Sequence, residues 1–74
     1  MTYSMRDTDW ATSAKGNDWR RMSGLVLVVG RAKEGAHYWA MIDGEFLDGY
    51  FATAADAMAA CEDRANLIID ARSA

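Results

Sequence analysis

The chain contains no proline, a single cysteine (Cys61) and a single histidine (His37). One cysteine excludes an intramolecular disulfide, and one cysteine with one histidine cannot supply a four-ligand structural zinc site within one chain. A reduced, intracellular setting fits that usage. No run approaches the roughly 18 apolar residues that a membrane-spanning helix needs. The first ten residues, MTYSMRDTDW, carry acids and no continuous apolar core, so they resemble neither a secretory signal nor an anchor. The reading is a cytoplasmic protein with no membrane partner. Glycine-rich phosphate loops are lacking too, because Gly24, Gly30 and Gly35 never precede a helix.

Charge is nearly balanced overall, with eight Lys/Arg against eleven Asp/Glu, but its distribution is uneven. Residues 1–33 hold six basic and three acidic residues, whereas 34–74 hold two and eight. With 74 residues, one domain buries only about 60 % of its unfolded surface, which argues against a deep catalytic pocket.

What the chain does have is one run of consecutive aliphatic residues, Leu25 to Arg31 (LVLVVGR), the natural central strand of a small sheet. Around it the pattern predicts a strand at Trp19–Met22, a turn at Ser23-Gly24, and a turn at Lys33–Ala36. A strand at His37–Ile42, the favoured hairpin dipeptide Asp43-Gly44, and a last strand at Glu45–Phe51 follow. Thr53 is placed to cap a helix, with Asp56 three residues on, and no proline or glycine interrupts Ala54–Ala71. At 1.5 Å per residue that helix is about 27 Å long. Residues 1–18 read as an irregular arm before a single domain at 19–74, with Tyr3, Met5 and Trp10 either folding back on the sheet or awaiting a partner. The fold class is α+β: a three- or four-stranded antiparallel meander with one C-terminal helix packed on one face.

Alternation of strand side chains divides the sheet. The expected helix-covered face is Leu25/Leu27/Val29, Trp39/Met41 and Leu47/Phe51, packed against Ala57, Met58, Cys61, Ala65 and Ile68, with Gly49 admitting the helix closely. This leaves Val26, Val28, Tyr38, Ile42 and Tyr50 on a face with no second layer, to be covered by the arm, a second copy or a partner. If the helix takes the other face, the contact list becomes Trp39, Met41 and Leu27. Of Leu67, Ile68 and Ile69, at least one points outward.

Little here suggests catalysis, and the chain reads as no enzyme, with no cofactor and no metal. His37 and Cys61 are the nucleophile-and-base candidates, although a cysteine on an alanine-rich helix is ordinarily a packing residue. Asp43, Glu45 and Asp48 cluster at the last hairpin, and Glu62 and Asp63 suit the exposed side of a helix. For a partner-binding surface the candidates are Trp10, Tyr38 and Tyr50 as aromatic anchors, with Asp43, Glu45 and Asp48 as a charged rim. A nucleic-acid-binding alternative uses Arg20, Arg21, Arg31 and Lys33 with neighbouring Trp19, Tyr38 and Trp39. The acidic half offers the converse, a surface that mimics nucleic-acid charge in a basic groove of another protein.

The order of Trp19, Gly24-Leu25-Val26-Leu27-Val28-Val29, Tyr38-Trp39, Asp43-Gly44, Gly49 and Thr53–Ala60 resembles a group of short phage and prophage proteins. The resemblance covers roughly residues 19–65 and carries no inhibitor motif residue by residue. It implies a non-enzymatic binding protein of the kind that includes anti-CRISPR proteins, which block a nuclease or a CRISPR effector complex in the host cytoplasm. A structural phage homodimer is a further alternative.

Overall fold

A computed structural model of the chain describes residues 8–33 and 37–73. Tyr3, Met5 and the Glu34–Ala36 part of the expected turn lie outside the described residues. Among the described residues five strands, β1 (Ala11–Thr12), β2 (Asp18–Met22), β3 (Leu25–Arg31), β4 (Tyr38–Ile42) and β5 (Glu45–Phe46), precede one helix, α1 (Ala54–Ser73). The strands form one antiparallel sheet in sequence order, a five-stranded meander of α+β class with the helix on one face. Sequence order is what tight turns dictate, since each strand can reach only its neighbour. The fifth strand comes from the stretch expected to be an irregular arm: Ala11 and Thr12 pair with Trp19 and Asp18.

Both two-residue turns have positive φ at both positions, Ser23 and Gly24 at 48° and 86°, Asp43 and Gly44 at 51° and 87°. This geometry twists in the sense that antiparallel strands require. Asp43 adds a second function, since its Oδ1 accepts the Val26 N–H at 2.8 Å and its own N–H donates to the Val26 carbonyl at 2.8 Å. The hairpin tip is thereby tied to the central strand.

The core is built from Leu25, Leu27, Val29, Ala40 and Ile42 on the sheet against Ala57, Cys61 and Ala65 on the helix. Leu27 is fully excluded from solvent, and each such side chain stabilises the fold by about 1.5–3 kcal/mol. Ala57, Cys61 and Ala65 recur every fourth residue, so one narrow stripe of small side chains meets the sheet. Met58, Ile68 and Ile69 pack at its margins while Leu67 points outward. Thr53 caps the helix as expected, its Oγ1 accepting the Asp56 N–H at 3.0 Å.

Three expectations are corrected. First, β4 presents Tyr38, Ala40 and Ile42 to the helix side, not Trp39 and Met41, because Ile42 stands opposite Leu27 and Ala40 opposite Val29. Directly paired residues share a face, so Tyr38 and Ile42 leave the open face and Trp39 and Met41 join it. Leu27, the third residue of the swapped-face list, is in the core. Second, Gly49 does not admit the helix: a Cβ there would meet nothing within 4 Å, and its φ of +80° is what needs glycine. Close approach comes instead from the small helix residues and Ala40. Third, the last strand is not continuous to Phe51. The ladder runs through Glu45, Phe46 and the Leu47 N–H, which donates to Ala40, and then resumes at Phe51 opposite Tyr38. Unbroken register would set Gly49 opposite Tyr38, so the strand carries two additional residues, with Asp48, Gly49 and Tyr50 bulging out.

Candidate interaction surface

Pairing fixes what the uncovered face carries. Ala11 faces Trp19, Trp19 faces Val28, Val28 faces Met41, and Met41 faces Phe46, so one row of side chains crosses all five strands. At about 4.8 Å per strand this row is about 19 Å long. Val26 and Arg21 flank it on one side, Gly30 and Trp39 on the other. The helix packs on the opposite face, and among the described residues no other element forms a second layer here. Phe46 is 63 % exposed, and the two tryptophans, Val26, Val28 and Met41 are half-buried.

Trp39 lies flat because Gly30 makes room for it. A Cβ built on Gly30 would stand 2.2 Å and 2.6 Å from two indole carbons and 2.8 Å from Asn17 Oδ1. Its backbone has no positive φ, so glycine is required by the indole and not by a turn. The Trp39 ring then meets Phe46 edge to face, centroids 5.5 Å apart at 81°.

The sequence-derived candidates divide. Trp10 serves the fold: it packs on the core margin, and its indole N–H donates to Glu62 Oε2 at 2.7 Å. Glu62, expected on the exposed side of the helix, also accepts from Arg20 at 2.6 Å. Tyr38 sits at the edge of the helix side, packed against the core. Tyr50 is 65 % exposed and rests against His37, ring centroids 4.8 Å apart. Asp43, Glu45 and Asp48 do come together, lining a groove of about 390 Å³ whose other wall includes Arg64 and Arg72 of the helix. Sequence reasoning left Trp19, Met41 and Phe46 off the primary contact list.

The four basic candidates do not form one patch. Arg20 points to the helix side and is engaged by Glu62, whereas its neighbour Arg21 is on the open face. Arg31 and Lys33 are exposed at the far end of β3. Nor does the structure bring His37 and Cys61 into contact. The Cys61 thiol is buried in the core and donates to the Met41 carbonyl at 3.5 Å. Burial pushes it up to about 11, with the backbone hydrogen bonds opposing and Glu62 adding to the rise, so at neutral pH it is a protonated packing residue.

No family model matches the chain, and no curated protein or solved structure is significantly similar to it. Among the described residues no helix is long and apolar enough to cross a membrane.

Proposed function

We propose that this is a non-enzymatic binding protein that occupies a macromolecular surface with its uncovered sheet face. The observation that supports this is the apolar row from Trp19 through Val28 and Met41 to Phe46. An antiparallel sheet with one helical layer ordinarily alternates apolar residues toward the helix with polar ones toward water. Here both faces are apolar, and contiguous exposed apolar patches mark interaction sites. Tyr50 and Asp48 border the row and stay on the contact list; Trp19, Met41 and Phe46 join them as anchors. The most concrete version, drawn from the resemblance to small phage and prophage proteins, is an inhibitor that blocks a host-defence nuclease or effector complex.

The test compares wild type with Phe46→Asp, a substitution at an exposed position that places a charge in the row. Circular dichroism checks that the variant folds, and sedimentation velocity and affinity capture from nuclease-treated host lysate follow. A stoichiometric partner held by wild type and lost by the variant supports the reading. A dimer lost by the variant assigns the face to a second copy. Identical behaviour of both proteins removes the face from any interface.

A further inference from the structure

The bulge in the last strand has a consequence for the same face. Gly49, at a φ of +80°, lets the chain turn out and back within Asp48–Tyr50, which sets Asp48 and Tyr50 beside Trp39 and Phe46. Together they line an open hollow of about 490 Å³ with Lys33 at its far wall. Trp39 and Phe46 stand nearly perpendicular and make a corner, and contact with His37 steadies the Tyr50 ring. Three aromatic rings and one carboxylate from different parts of the hairpin therefore converge on one space. Aromatic faces carry negative electrostatic potential, so such a corner attracts a cation more than a neutral group. Asp48 is the carboxylate of this hollow, whereas Asp43 and Glu45 line the neighbouring groove, where Arg64 and Arg72 accompany them.

We infer that this hollow takes the guanidinium of an arginine side chain presented by the partner protein. The inference rests on the binding reading above. A guanidinium is flat and weakly hydrated, so it can stack on Trp39 or Tyr50 while its N–H groups reach Asp48 as a fork. Lys33 is exposed, and its flexible stem lets the ammonium swing into water, yet its charge opposes any incoming cation. Removing that charge should tighten an arginine and loosen a phosphate.

The experiment titrates the full chain with a blocked Gly-Arg-Gly peptide, its neutral citrulline counterpart and a short oligo-dT, reading the indole and ring resonances by NMR. Expected are saturable shifts at Trp39, Phe46 and Tyr50 with the arginine peptide and far smaller ones with citrulline. Asp48→Asn and Tyr50→Ala, both at exposed positions, each weaken binding about three- to fivefold, and Lys33→Gln strengthens it. Equal response to citrulline, or no response to arginine, overturns the inference. Oligo-dT binding that Lys33→Gln weakens would replace it with nucleic-acid stacking. The two readings fail separately: partner capture that Phe46→Asp abolishes without any arginine-peptide response leaves binding intact and removes the arginine site. An arginine-peptide response with capture indifferent to Phe46→Asp does the reverse.

Discussion

Gly30→Ala tests the packing of the uncovered sheet face. The added methyl carbon would stand 2.2 Å from the nearest Trp39 ring carbon, and ordinary contact begins at 3.4 Å, so the indole must lift by about 1.2 Å. Overpacking of this kind costs about 1–3 kcal/mol. Against it stands a gain of about 0.4–1 kcal/mol, because alanine restricts the unfolded chain. The net loss is about 1–2 kcal/mol, which for a domain of this size lowers Tm by about 5–15 °C. Urea denaturation followed by circular dichroism measures the free energy, and the Trp39 indole resonance reports the displacement. The decisive comparison repeats Gly30→Ala in a Trp39→Val background, where the obstructing ring carbons are gone. There the same substitution should be neutral or stabilising, with Asn17 Oδ1, 2.8 Å from the added carbon, moving aside. An equal loss in both backgrounds, or no loss in wild type, would refute the claim that Gly30 is glycine for the sake of the Trp39 ring.

Four further outcomes follow from the fold. Glu62→Ala leaves the Trp10 indole N–H and a half-buried Arg20 guanidinium without their shared acceptor, and chemical denaturation should show a loss of about 2–3 kcal/mol. Amide exchange should quicken at Thr8 and Ser13, whose N–H groups donate to the Arg21 and Asn17 carbonyls on either side of the cluster. Thr53→Ala removes the helix cap and should cost about 1 kcal/mol by the same assay. Cys61 should resist thiol reagents until the domain unfolds. Because its folded value of about 11 lies above the ordinary 9.0, the unfolded state loses the thiol proton first, and stability is full below pH 9 and falls as pH rises toward 11. Replacing Cys61 with alanine should flatten that alkaline decline, read from denaturation midpoints at several pH values.

Much of this architecture is written in local signals. The central strand is visible as the longest aliphatic run, and the helix is visible in its threonine cap, its alanine content and the four-residue spacing of Ala57, Cys61 and Ala65. The facing of β4 was also available from the residues. A two-residue turn at Asp43-Gly44 sets Ile42 opposite Glu45, so Ala40 shares a face with Leu47 and Met41 with Phe46. Alternation within one strand cannot say which set faces the helix; the turn length carries that information across to the next strand. The bulge at Asp48–Tyr50 was less legible, since Gly49 marks an unusual backbone position without saying that two residues are inserted. The Trp10–Glu62–Arg20 cluster joins residues 52 and 42 positions apart, which no local pattern encodes. It turns an apparent solvent-facing glutamate into a tie between the first strands and the helix.

We propose that the row from Trp19 to Phe46 is where this protein meets its partner. The direct measurement is paired affinity capture with wild type and Phe46→Asp from host lysate treated with nuclease, quantified by mass spectrometry. The expected result is a stoichiometric protein that survives nuclease and disappears with the folded variant. Recovery of the same protein at equal yield by both baits would contradict it.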